Sequence, residues 1–179
     1  RNLTSKGMTV EGFYDISLTL PAPIFVETRF QAGNYDSNLQ TQYTSWNQVG
    51  GFDEPNDCCS NSDGEENYAH IWWNGLWNDL PNDRDQQFIV EFDYNVSDVG
   101  NGYKFLGQFD GHSYFVSLSY QSWLESRELA IGLGGYLVSI NTQEEQNMIM
   151  QWFDDLQVDG DDWGPWIGLF QDPSDPLYS

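Results

Sequence analysis

Residues 54 to 79 read EPNDCCSNSDGEENYAHIWWNGLWND, a run that begins and ends with acidic residues and amides and contains no lysine or arginine. Carboxylate and amide oxygens at this density are hard donors. They suit a cation such as calcium, which takes about 6–8 oxygen ligands at ~2.3–2.6 Å. The two histidines, His70 and His112, have no Cys or His partner at metal-binding spacing, so neither reads as a zinc ligand, and His112 reads as a turn residue. No Ser/His/Asp, Cys/His or Gly-rich phosphate motif has supporting context, and pairs such as Asp161 and Asp162 read as solvated loop charge. A binding role is expected rather than an enzymatic one.

The whole chain shares the bias of this stretch. Six basic residues face 28 acidic ones, a formal net charge of -22, which repels nucleic acid and anionic membrane surfaces and leaves cations as the natural partners. With 179 residues, 39% hydrophobic and 16% aromatic, the composition is that of one globular domain with a real core. No apolar run of about 18 residues predicts membrane insertion, and the N-terminus lacks a basic-then-apolar signal segment, so any export signal is expected to be removed or to lie outside the chain. Cys58 and Cys59 are adjacent and cannot build a disulfide framework. They read either as two small loop residues or as a vicinal disulfide or a bridge to another chain.

The elements that must hold the oxygens follow from periodicity. Residues 1–45 form an N-terminal extension with strand-like alternation, as in DISLTLPAPIFVETRF, split by Pro21 and Pro23. From Gln40 to about Asn82 no period is sustained. QQFIVEFDYN then alternates, with Phe88, Val90 and Phe92 on one face and Ile89, Glu91 and Asp93 on the other. YKFLGQFDGHSYFVSL reads as two strands broken at Asp110-Gly111. In SYQSWLESRELAIGLGG the apolar residues Trp123, Leu124, Leu129, Ile131 and Leu133 fall near helical spacing, stopped by Gly134 and Gly135. NTQEEQNMIMQWFDDL opens with Thr142 and Glu145 as a capping box, followed by a buried stripe of Met148, Ile149, Trp152 and Phe153. PWIGLF closes the pattern as a strand. The class is α+β, with two helices on antiparallel sheets and a long irregular loop.

These residues carry a resemblance. SWLESRELAIGLGGYLVSINTQEEQNMI, WIGL at 166–169, EPN at 54–56 and WND at 77–79 resemble the motifs of the C-type lectin-like domain, but in swapped order. Residues 46–93 are similar to the family's closing half (long loop, EPN, WND, last strand). Residues 94–102 read as a turn, and 103–179 are similar to its opening half. Circular permutation, with VSDVGNG joining the family's first and last strands as a hairpin, is favoured. The competing reading is halves completed by neighbouring domains or by self-assembly. The N-terminal extension would pack on the same domain as an added edge.

The resemblance implies a calcium ion held by Glu54, Asn56, Glu66, Asn78 and Asp79, with Pro55 in the cis form and Trp77 anchoring the turn. It also implies carbohydrate recognition, two sugar hydroxyls completing the coordination while hydrogen-bonded to Glu54, Asn56, Glu66 and Asn78. The Glu-then-Asn order resembles the mannose, glucose and fucose binders, and Trp72 and Trp73 are candidates to stack on a sugar face. An auxiliary ion would involve Asp57, Asn67 and Asp172. Tyr68 and Val90 stand where the family carries cysteines, so metal and packing would stabilise the loop in place of disulfides. A module of this kind is expected at the cell surface or outside the cell, where calcium fills weak sites. The other reading is a structural or protein-binding extracellular domain, with calcium as a staple.

Overall fold

A computed structural model describes residues 28–29, 43–51, 53–57, 65–72, 74–156 and 163–171. Their elements in chain order are β1 (Thr28–Arg29), β2 (Tyr68–Trp72), β3 (Trp77–Leu80), β4 (Ile89–Phe92), β5 (Tyr103–Phe109), β6 (His112–Ser117), α1 (Trp123–Gly132), β7 (Tyr136–Leu137), α2 (Gln143–Leu156) and β8 (Trp163–Phe170). They form two four-stranded sheets, ordered β1-β8-β2-β3 and β5-β6-β4-β7. The α+β class expected from the sequence is what is observed.

Both sheets mix the two stretches on either side of the 94–102 turn. β2 pairs antiparallel with β8, and β4 pairs antiparallel with β6 and β7. The expected hairpin between FIVEF and YKFLGQ does not form, because β6 lies between β4 and β5. The hairpin that does form is β5–β6, turned at Asp110 (φ 49°) and Gly111 (φ 88°), two left-handed residues of the kind a tight antiparallel turn requires. At the edge of the first sheet, Thr28 and Arg29 pair in parallel with Leu169 and Phe170.

Strand β8 joins the two sheets. Trp166 is fully buried, its backbone N–H donates to Gln87 O (2.8 Å), and its indole N–H donates to Gln121 O (2.9 Å). The Trp123 indole donates to Ile167 O (2.8 Å), fixing α1 to the same strand. A Cβ at Gly168 would come within 2.4 Å of Leu137 O, so the WIGL glycine is required by the close passage of β8 against β7.

The alternation of QQFIVEFDYN is realised. Phe88, Val90 and Phe92 enter a core with Phe115, Trp123, Ala130 and Trp166, while Ile89 enters the other with Tyr114, Val116 and Ile149. The first helix departs from its expected stripe. Ser122 and Glu125 form its capping box, but its buried residues are Trp123, Ser126 and Ala130, while Leu124 and Leu129 are exposed. The helix meets the sheet on a narrow face of small residues, which lets Trp123 reach β8. In α2 the Thr142 hydroxyl accepts from Glu145 N–H (3.1 Å), and the Glu145 carboxylate accepts from Asn141 N–H (2.8 Å), one residue upstream of the expected partner.

Ile149 is fully buried between α2 and the sheet. Ile149→Ala should therefore cost about 2–5 kcal/mol in urea unfolding, whereas Leu129→Ala should cost under about 1 kcal/mol. Equal losses would contradict the packing of the two helices.

Candidate functional site

The WND strand is fixed from three directions. Trp77 is buried, its indole N–H donates to Gln146 Oε1 (2.9 Å), and Gln146 Nε2 donates in turn to Gly75 O (2.8 Å), tying β3 and its hairpin to α2. Tyr43 and Trp46 meet the Trp77 ring edge-on. The segment around Trp46 runs beside β3, with Trp77 N–H donating to Ser45 O, Asn47 N–H to Trp77 O, and Glu54 N–H to Asn47 O (3.1 Å). This lacing delivers EPN to WND.

The Glu54–Pro55 peptide bond is cis. Beyond it, Asn56 N–H and Asp57 N–H donate to the two carboxylate oxygens of Asp79 (3.3 and 3.0 Å). Asp57 is left-handed (φ 48°), and its own carboxylate accepts from Glu66 N–H (2.8 Å), which closes the loop between the two residues. Asn78 Nδ2 donates to the Asp79 carbonyl. Asn67 donates to Glu65 (3.2 Å), while Asn67 Oδ1 is buried without a hydrogen-bond partner.

Glu54 and Asp79 are both buried. Burial pushes Glu54 up to about 8, assisted by the neighbouring Asp79 and by the negative charge of Glu66. Burial also raises Asp79, against the backbone N–H groups that favour its charged form. Among the described residues the charges acting on Glu54 are both negative, and its Oε2 is buried without a hydrogen bond. A hard cation is the group that such oxygens lack.

Of the residues expected at the principal site, Glu66 and Asp79 are each brought within electrostatic reach of Glu54, and Asn78 lies at the Asp79 carbonyl. Asn56 contributes its backbone N–H, and its side chain is exposed. Asp57 and Asn67 lie beside this group, whereas Asp172 and Trp73, like Cys58 and Cys59, fall outside the described residues. Trp72 is not brought to the carboxylates. Asp79 pairs with Ala69, and Trp72 lies three residues further along β2, roughly 10 Å by strand rise, at the hairpin end.

A second group was not anticipated. Glu91, Asp93 and His112 could hold a metal ion. Their ligand atoms lie within 4.8 Å of one another, a mutual spacing that no other trio of His, Cys, Asp and Glu reaches among the described residues. His112, expected only as a turn residue, opens β6 immediately after the Asp110-Gly111 turn, with Nδ1 2.7 Å from Glu91 Oε1 and 3.5 Å from Asp93 Oδ1. Its partners are carboxylates on the adjacent strand rather than the Cys or His sought along the chain. The sequence signal was the placement of Glu91 and Asp93 on one strand face, but the opposing residue is set by strand register. His70, by contrast, is fully buried against Trp166, and burial pushes it down to about 4, so it is neutral.

Two raised carboxyls give a pH dependence of definite sign. Glu54 moves from 4.5 to about 8 and Glu91 from 4.5 to about 7. Their contributions to stability are full below the unfolded value near 4.5 and are lost as pH rises through the folded values. In chelator, the melting temperature should fall between about pH 5 and about pH 9. Glu54→Gln, which cannot ionise, should make that fall shallower and flatten the part of it above about pH 7, where Glu91 no longer contributes. A parallel fall in the variant would show that Glu54 titrates normally.

Comparison with family models, curated proteins and solved structures returned no match, so what this site does is argued from its own geometry.

Proposed function

We propose that this chain is a calcium-dependent carbohydrate-binding domain of the C-type lectin-like kind, acting at a cell surface or outside the cell. The observation that carries the reading is the buried Glu54–Asp79 pair, joined by Glu66, in which one carboxylate oxygen has no hydrogen bond and, among the described residues, the charges acting on Glu54 are negative. The donors fit calcium in kind, being carboxylate and amide oxygens from Glu54, Asn56, Glu66, Asn78 and Asp79. Bound there, calcium would supply coordination positions to two neighbouring hydroxyls of a sugar. The chain's own part is to read the stereochemistry of those hydroxyls, with Glu oxygens accepting from them and Asn amides donating to them. The Glu-then-Asn order favours sugars of the mannose, glucose and fucose type. The circularly permuted chain order belongs to the same proposal, and pairing of both stretches within each sheet supports it.

Two observations favour the calcium-staple reading instead. Both Asp79 carboxylate oxygens already accept loop N–H groups, and Trp72 lies away from them.

A glycan array read in millimolar calcium and again in chelator separates the two. Binding to mannose- or fucose-type glycans should be lost in chelator and altered in Glu54→Gln/Asn56→Asp. If calcium raises the melting temperature but no glycan is retained, the ion acts as a staple only.

A further inference from the structure

Glu91 on β4, Asp93 just beyond its end and His112 on β6 form a group apart from the residues assigned to the calcium loop. Glu91 is nearly fully buried in mid-sheet, where a carboxylate is stable only if paired, hydrogen-bonded or bound to a metal. Ser139 N–H donates to Glu91 Oε2 (2.9 Å), and Glu91 Oε1 lies beside the imidazole. The Tyr136 hydroxyl donates to Asp93 Oδ1 (2.5 Å). From α2, Glu145 adds further negative charge near Glu91 and is itself engaged by the Tyr114 hydroxyl (2.7 Å). The imidazole is the only cationic candidate among these neighbours.

The contact between His112 and Glu91 is not an ordinary ion pair. Nδ1 is 2.7 Å from Glu91 Oε1, yet it is a buried atom without a hydrogen bond. A nitrogen and two carboxylates gathered within 4.8 Å, with that nitrogen lacking a hydrogen bond, form a donor set that an ion can complete. Ligands held at ~2.0–2.1 Å around a tetrahedral ion stand roughly 3.3–3.4 Å apart; the 3.5 Å between His112 and Asp93 is near that spacing, and the 2.7 Å between His112 and Glu91 has to open by roughly 0.6 Å to admit the ion. An imidazole nitrogen with two carboxylates suits a borderline transition metal better than calcium.

We propose that Glu91, Asp93 and His112 form a zinc site that fastens β4 to β6, with water or an external ligand in the remaining position. Ser139 and Tyr136 orient the two carboxylates, the arrangement that tunes metal ligands in general. The site is independent of the lectin reading, since it shares no residue with the loop and holds whether or not a sugar binds.

The test is calorimetric titration of the chelator-stripped full chain with zinc, in buffer already saturated with calcium. One zinc ion should bind, and prior calcium should not block it. His112→Gln and Asp93→Asn should each weaken zinc binding by more than tenfold, and Tyr136→Phe by about tenfold, while Glu54→Gln leaves it unchanged. Cobalt added in place of zinc should give visible absorption bands that change in His112→Gln, reporting the lost nitrogen ligand. Asp93 is mostly exposed, so Asp93→Asn keeps the test decisive if another variant fails to fold. No zinc heat, zinc binding unaltered in both His112→Gln and Asp93→Asn, or zinc binding abolished by Glu54→Gln would each overturn the proposal.

Discussion

The Asp79 carboxylate connects the least regular part of the chain to the most regular. It stands on β3, whose preceding Trp77 is locked to α2, and it gathers the N–H groups that follow the cis peptide bond. Two backbone donors at ~3 Å favour the charged form of this group, yet they leave its field acting on Glu54, which is buried next to it. The shape of the loop and its electrostatic imbalance therefore have one origin. A loop built in this way is organised around negative charge and is receptive to a cation.

The same imbalance recurs in the second sheet. Glu91 and Glu145 are both buried, are hydrogen-bonded by Ser139, Asn141 and Tyr114, and face one another across the sheet and helix. In a chain with a net charge of -22, burying carboxylates adds local repulsion to a molecule already repelling itself. Hydrogen bonds offset part of that desolvation. What they leave uncompensated is negative charge at two places with different donor sets, and both proposals of cation binding rest on it.

Strand β8 is what relates the two acidic groups to one another. Trp166 is held by Gln87 and Gln121, so the strand is fixed both to the approach to β4 and to the segment leading into α1, while its edge pairs with β2. The calcium-loop candidates hang from one sheet and the His112 group from the other. Joining the sheets through one tryptophan-bearing strand keeps each set of side chains on a rigid support, which is what precise ligand placement requires.

The sequence by itself determined the two helices, β4, the β5–β6 hairpin, the closing strand and most of the oxygen donors, but not β2 and β3, which form inside the stretch from Gln40 to about Asn82 that carries no sustained period. Alternation in QQFIVEFDYN placed Glu91 and Asp93 on one face, Asp110-Gly111 marked a hairpin, Thr142 and Glu145 opened α2, and EPN and WND marked the loop. Each of these is a local property of a few consecutive residues, carried by period, capping or turn chemistry. Only the tertiary structure decided the rest. It inserted β6 between β4 and β5, turned Leu124 and Leu129 outward, moved Trp72 away from the carboxylates and brought His112 against Glu91. These outcomes depend on strand order, register and the face a helix presents, and such choices are set by packing between segments distant along the chain.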